Sequence, residues 1–486
     1  MSREVLRDAI IYLPAKVVPA LVGVLAIPIL TRLLTPEQYG QYLLAMTSLT
    51  LIAAFCISWL VSITIRFYVV YGVEALYRYS RRFLILSILL ACLLWLAASQ
   101  LLGNAFSNRF FILAGVLWLV AHGFFEYYSG WLRARNFAKA YSIALSWRSA
   151  TGLSIAVVLL ALGFRDGAII VLGFAVAMLV GLAFLPKYAL QAEIRQRQVN
   201  ESKSDLKVIL HYGIPAAISN LVITGLSLAD RYIIGAQMGA ESVAIYGASY
   251  DLAEKTVFFA NSMLLLSSSV IGFRIFEQEG EVKAADFLSR LMRIYLLAAP
   301  PLVVALAILS PHIVGLLLPA QYQAGALVLP IVAAGGLFVG VMHRYSLLLS
   351  FHKRTDTIMW CSAGALLVNL LSCVLLIPKF GIIGAAISTV VAYASWLFFV
   401  RLAATKYHGP SFPWLTFFRA SGALLVAAAA MVSILQLELT YKPLMLVLSF
   451  VFGMFAYSFA LYLFREITQK DVQAVVSIIS SRLRKA

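Results

Sequence analysis

The segment FLILSILLACLLWLAASQLL (83–102) runs for twenty residues without one charge. A bilayer's hydrocarbon core is ~30 Å thick and a helix rises about 1.5 Å per residue, so ~20 apolar residues make one crossing. Arg81 and Arg82 stand directly before the run, as a flank held at the membrane surface. The same grammar, a long apolar run between short basic clusters, covers nearly the whole chain of 486 residues. Apolar residues make up 62% and charged residues 12%, against a charged share near ~25% in soluble domains. That is too little charge to coat several water-soluble domains, which excludes a soluble enzyme and predicts an all-α polytopic membrane protein.

Breaks at charge clusters, glycine and proline give fourteen candidate spans: 10–31, 41–65, 83–102, 110–130, 141–162, 168–189, 209–233, 242–272, 288–310, 323–348, 357–377, 382–402, 413–436 and 443–464. The formal net charge of +17 is explained by where its cations lie. With the N-terminus inside, 27 Lys and Arg fall on cytoplasmic segments, among them Arg78, Arg133, Arg195, Arg290, Lys353 and Arg482, and six on the outer side. This is the positive-inside pattern, and it predicts an even number of spans with both termini cytoplasmic; the bacterial inner membrane is what the family resemblance given below implies. The cations sit between spans, so a nucleic-acid partner is not expected. Cys56, Cys92, Cys361 and Cys373 lie inside apolar runs without paired spacing, so neither a disulfide framework nor a metal site is expected. The chain opens on MSREVLRDA with no small-residue cleavage site, so no cleavable signal peptide is read.

The chain echoes itself at intervals of 201 to 217 residues. Tyr12-Leu13-Pro14 corresponds to Tyr212 to Pro215, Tyr39-Gly40 to Tyr246-Gly247, and GFRDGAIIV (163–171) to KFGIIGAAIS (379–388). Six spans per repeat means both halves enter the membrane in the same direction, with a site expected between the lobes. The predicted organisation is an N-terminal lobe (1–190), a cytoplasmic linker QAEIRQRQVNESKSDLK (191–207), a C-terminal lobe (208–405), and two further helices with a basic tail (406–486).

No phosphate-cradling loop, H-E-x-x-H motif or nucleophile elbow occurs. If the protein moves a cargo, its energy comes from an ion gradient, from the cargo's own gradient or from a later step. Ionisable residues inside spans are costly and point to function. Arg148 lies about eight residues, or ~12 Å, inside the fifth span; it either lines a cavity or pairs with a carboxylate. Lys16, Arg66 and Arg344 lie nearer the inner surface and either snorkel or face the same cavity. On the eighth span Asp251, Glu254, Phe258, Asn261, Leu265 and Ser268 share one face, with Lys255 at the spacing of an internal ion pair with Asp251. Asp251 and Glu254 are candidates to carry a coupling H+ or Na+, or to glue helices together. Glu126 with His122 is either a proton relay or a flank or satisfied pair, and Asp230-Arg231 either anchors a helix end, bonds across the lobes as an outer gate or meets a substrate. Pro14, Pro19 and Pro28 mark the first span as a possible hinge. Tyr127, Tyr128, Tyr246 and Tyr250 read as packing residues before they read as sugar platforms.

TRLLTPEQYGQYLLA (31–45) resembles the segment after the first span of bacterial polysaccharide flippases of the O-antigen type. These belong to the multidrug/oligosaccharidyl-lipid/polysaccharide exporter superfamily. YGIPAAISNLVITGLSLADRYIIGAQMGAESVAIYGASY (212–250), IPKFGIIGAAIST (377–389) and Arg66 in TIRFY resemble further parts of the same family, in the same order. The resemblance implies a V-shaped alternating-access transporter of six, six and two helices with a cationic cavity. It implies undecaprenyl-pyrophosphate-linked oligosaccharide as cargo, H+ or Na+ coupling, no other cofactor, and a polysaccharide polymerase and chain-length regulator as partners. A pyrophosphate suits arginine forks. A peptidoglycan-precursor flippase shares that chemistry. A drug extruder is disfavoured by the basic intramembrane set, and a polymerase or ligase by the lack of a large outer loop. A non-transporting subunit of an export complex is the remaining alternative.

Overall fold

The computed structural model describes residues 14–101, 109–190, 203–437 and 441–466. Tyr12 and Leu13, most of the 191–207 linker and the basic tail from 467 lie outside them, as do the side chains of Phe258, Leu265 and Ser268. Among the described residues the regular structure is helical throughout. The helices are α1 (Pro14–Leu33), α2 (Pro36–Cys56), α3 (Ser58–Leu101), α4 (Arg109–Ala134), α5 (Ala138–Ala161), α6 (Ala168–Gly181) and α7 (Leu185–Leu190). They continue with α8 (Lys203–Leu228), α9 (Asp230–Glu279), α10 (Glu281–Leu317), α11 (Val328–Phe351), α12 (Thr355–Ala404), α13 (Trp414–Leu435) and α14 (Lys442–Leu463). The last residues of the predicted linker, from Lys203, already belong to α8.

Among the described residues eleven stretches are long and apolar enough to cross a membrane. Two of them, Val208–Val257 and Thr355–Ala404, are 50 residues long, and would measure ~75 Å if straight. Each reverses at a glycine. Gly239 has φ 83° and ψ 173°, and Gly381 has φ 58° and ψ −138°, conformations that a Cβ makes costly. Behind Gly381 the chain doubles back so tightly that a Cβ on Gly384 would overlap the Leu376 carbonyl. The long α3 also folds back: the Trp59 and Phe83 rings are 5.8 Å apart, where 24 residues of straight helix would separate them by ~36 Å. Dividing the two 50-residue stretches and adding the short apolar α6 accounts for fourteen crossings.

The TPEQYG segment shows why a short motif begins a span. Thr35 caps α2 by accepting from the Gln38 amide at 3.3 Å, and Gln38 Oε1 accepts from the Thr35 amide at 3.1 Å, a reciprocal capping box. Pro36 occupies the first helical turn, where no backbone donor is missed. The next two residues then face the other lobe. Tyr39 stacks edge-on against Tyr322 with centroids 6.5 Å apart, and Gly40 lies against the Ala240 carbonyl so closely that no Cβ fits. Arg32 adds a bond from Nη2 to the Leu316 carbonyl, 3.0 Å, at the C-terminal end of α10. The echo in the second half serves the same contact, because Gly247 is filled by the Leu43 side chain.

Three apolar cores follow from this packing: one uniting the N-terminal lobe with the near face of α9, one within α10–α12, and a small one between α13 and α14. The last pair of helices is pinned to the second lobe by Glu466, which is 3% exposed. Its carboxylate accepts from Arg293 Nε at 2.8 Å, the Thr416 hydroxyl at 2.6 Å and Arg419 Nη1 at 3.1 Å. Burial alone would push the Glu466 carboxyl up, but these donors together hold it below its ordinary range.

Candidate functional site

A cavity of about 450 Å³ opens in the N-terminal lobe among α2, α4, α5 and α6, with Thr224 of α8 on its wall. Its polar lining is supplied mainly by His122, Glu126 and Arg148. Arg148 donates from Nη1 to Glu126 Oε1 at 2.7 Å, and the two side chains remain 26% and 32% exposed. The guanidinium also lies 5.5 Å from the centre of the Phe125 ring. One turn before Glu126, His122 stacks on Trp118 with centroids 4.3 Å apart, and its Nδ1 is buried without a hydrogen-bond partner. α4 therefore presents a carboxylate and an imidazole on one face, and α5 brings a cation to meet them.

Of the four cations read from the sequence, Arg148 alone is on the lining of this cavity among the described residues. Arg148 lines the cavity, whereas Lys16 and Arg66 are exposed residues near the ends of their spans. Arg344 is 2% exposed in the α10–α12 core. It donates to Asn261 Oδ1 at 2.7 Å and to the Gly340 carbonyl, and lies over the Tyr295 ring at 4.4 Å. Asn261 in turn meets His343 Nδ1 at 2.9 Å. Arg344 thus ties helices together inside the second lobe.

The acidic residues of the eighth span also meet partners that local spacing does not show. Asp251 pairs with Arg231, Nη2 to Oδ1 at 2.6 Å, and not with Lys255 as its helical spacing predicts. The reason is the reversal at Gly239, which lays the start of α9 beside the segment 20 residues later. Lys255 instead reaches across to α1, where its side chain packs on Gly23. Asp230 and Arg231, adjacent in sequence, point to different partners. Asp230 accepts from the Tyr246 hydroxyl and, at 3.4 Å, from Thr389. Tyr250 bonds Tyr393 at 3.0 Å, so both tyrosines of the eighth span are tied into this network. Tyr127, for its part, bonds Ser80 at 2.7 Å. Glu254 lies beside this cluster, within electrostatic reach of Asp251, Arg231 and Asp230.

Sequence reasoning missed Asn369 and Tyr42. Asn369 is buried, and among the described residues both its amide atoms lack partners; it sits one turn before Cys373, which neighbours Asp230. Tyr42 lines the N-terminal cavity and is also within electrostatic reach of Asp251 and Arg231, so it stands between the cavity and the interlobe charges. Neither carries a sequence signal, since an isolated Asn or Tyr in an apolar run reads as packing. Among the described residues no cluster of His, Cys, Asp and Glu is arranged to hold a metal ion by those side chains.

The described residues thus form a protein of apolar spanning helices, with a polar cavity in the N-terminal lobe and a charge network on the second lobe where it meets the first. The model of the family described as "Polysaccharide biosynthesis protein" matches residues 5–269, and the chain belongs to that family. No curated protein matches it significantly. Among solved structures it is similar to "Lipid II flippase MurJ, inward closed conformation", with TM-score 0.73 and 15% identity over 94% of this chain and 99% of that one. It is also similar to an inward-facing multidrug resistance transporter of the MATE family, with TM-score 0.59 and 14% identity over 82% and 98%. A MOP-superfamily transporter from Pyrococcus furiosus, whose binding pocket is described as having reverse polarity, gives TM-score 0.59 and 16% identity over 82% and 95%. The alternating-access transporter fold of that superfamily is therefore the fold of this chain.

Proposed function

We propose that the protein is a flippase for a lipid-linked oligosaccharide, moving an undecaprenyl-pyrophosphate-linked repeat unit of an O-antigen or exopolysaccharide from the cytoplasmic to the periplasmic leaflet. The observation that carries this reading is the N-terminal cavity, whose cation Arg148 faces open space and whose lining mixes polar and aromatic side chains. Membership of the polysaccharide biosynthesis family supports the cargo class. Arginine donors suit a pyrophosphate, since each of its phosphates accepts a pair of parallel N–H bonds. Coupling to H+ or Na+ belongs to the same proposal. Asp230, Asp251 and Glu254 are the carboxylates placed for it, because they lie where the lobes meet and could sense their separation. Glu126, read from the sequence as a coupling residue, sits in the cavity instead. The polymerase and the chain-length regulator are the partners such a flippase would deliver to, and an inner-membrane location with cytoplasmic termini follows from the basic residues.

A peptidoglycan-precursor flippase is the second reading, favoured by the likeness to the lipid II flippase over nearly the full length. The test is translocation in proteoliposomes with fluorescent polyprenyl-pyrophosphate oligosaccharides, with and without pH or sodium gradients. Arg148→Ala should lower the initial rate by about tenfold or more, the loss expected for one charge-assisted contact of ~1.5–3 kcal/mol. Transfer of lipid II but of no other glycan would select the second reading. No transfer of either would overturn both.

A further inference from the structure

We propose that Glu126 is an internal counter-anion for Arg148, which it neutralises in the empty cavity and which an incoming phosphate must take from it. The inference rests on the flippase reading and assigns how its cargo is gripped and released. Arg148 and Glu126 come from different helices, α5 and α4, and meet at 2.7 Å on the cavity wall. Among the described residues their contact uses one guanidinium nitrogen and one carboxylate oxygen. A guanidinium holding a carboxylate through a single nitrogen keeps its other donors for a second acceptor, and a phosphate that accepts two parallel bonds forms the stronger pair. Both side chains remain about a quarter to a third exposed, so water and cargo reach them.

The rest of the lining shows why a counter-anion is needed. Facing the pair are His122 on the same helix as Glu126, Tyr42 on α2 and Phe174 and Met178 on α6. Arg133 and Tyr141 lie within electrostatic reach of Glu126. Among the described residues Glu126 is the one carboxylate on that wall. Without it the empty carrier would keep an unpaired guanidinium in a low-dielectric wall, which is costly in any conformation. With it the pair is neutral when the carrier is empty, and a phosphate that takes the guanidinium leaves the displaced carboxylate beside it as a competing anion. Glu126 also competes for Arg148 after transfer, which shortens the residence of the cargo. Removing the carboxylate should therefore strengthen binding and slow release, the opposite of what loss of a structural ion pair does.

The experiment compares wild type, Glu126→Gln and Arg148→Gln in lipid nanodiscs. The probe is a short-chain polyprenyl-pyrophosphate N-acetylglucosamine, a diester whose phosphate charges stay constant around neutral pH. Equilibrium binding and proteoliposome turnover are measured on the same preparations. The expected result is about tenfold or more tighter binding by Glu126→Gln, the lower end of the coupling measured for close charge pairs, together with a lower maximal rate. Arg148→Gln should weaken binding by about tenfold or more. Binding by Glu126→Gln equal to or weaker than wild type, with the protein monodisperse, overturns the counter-anion role and leaves the flippase reading standing. Equal displacement of the probe by phosphatidylglycerol overturns the assignment to the pyrophosphate carrier. No saturable binding by wild type overturns both the inference and the reading beneath it.

Discussion

Replacing Asp251 by asparagine would leave the Arg231 guanidinium, 5% exposed, without its carboxylate in a place that water scarcely reaches. Breaking a buried pair from one side costs about 3–5 kcal/mol, because the remaining charge is stranded. Asp251→Asn should therefore lower the midpoint of thermal unfolding in detergent. The double variant Arg231→Met with Asp251→Leu should recover most of that loss, since both charges are then gone. A double variant no more stable than Asp251→Asn alone would show that the pair is not the source of the effect. This pairing was invisible in the sequence for a physical reason. Helical spacing displays only neighbours three or four residues apart, so it offered Lys255 to Asp251. The true partner stands 20 residues earlier and is delivered by the reversal at Gly239. Arg148 and Glu126 were each legible as intramembrane charges, but two roles were read where the contact makes one site.

The helices themselves were legible because each crossing must satisfy its backbone internally and present an apolar surface to lipid. Their ends were legible at the two glycine reversals, which fall between the spans read as ending at 233 and 377 and those starting at 242 and 382; the Thr35 capping box, which starts α2 five residues before the span read from 41, was not. The clamp on α14 was not, because Glu466 lies in a polar flank where a single glutamate has no pattern. It joins three helices at once, through Arg293 of α10, Thr416 and Arg419 of α13, and its own position just after α14. Glu466→Gln should destabilise the α13–α14 pair by about 1–3 kcal/mol near neutral pH, the range for hydrogen bonds to a charged group. The pH dependence follows from the sign of the shift. A carboxyl held below its ordinary value of 4.5 contributes stability that is fully present above that value and is lost as pH falls through the folded-state value. The gap in unfolding temperature between wild type and Glu466→Gln should thus be constant from neutral pH down to about 5 and close under stronger acid. A gap that persists unchanged in acid would mean that Glu466 acts by shape and not by charge.

At the scale of the molecule, the 6 + 6 + 2 layout could be read from the internal echoes, but which surfaces close on each other could not. Spacing reveals repetition, whereas a seal depends on how nearly two backbones can touch. Here the seal lies on the face that the basic residues assign to the outside. It combines Gly40 against the Ala240 carbonyl, Tyr39 against Tyr322, and Arg32 on the Leu316 carbonyl. A larger side chain at position 40 clashes only while the lobes are shut there, so the other conformation can still fold. Overpacking of this kind costs about 1–3 kcal/mol, and every 1.4 kcal/mol shifts a two-state population about tenfold. Gly40→Leu should therefore bias the protein toward opening on that face. The reporter is Ser48→Cys in a chain whose four native cysteines are replaced. Ser48 is buried on α2, where it accepts from the Tyr232 hydroxyl at 2.6 Å across the lobe boundary. A membrane-impermeant maleimide added from outside should label that cysteine slowly in the parent and about tenfold faster with Gly40→Leu. Arg32→Gln, which removes a charge from the end of α10 but adds no bulk, should move the rate in the same direction by a smaller factor. Unchanged labelling in both variants would mean that these contacts do not hold the lobes shut, and faster labelling from the inside alone would reverse the assigned orientation.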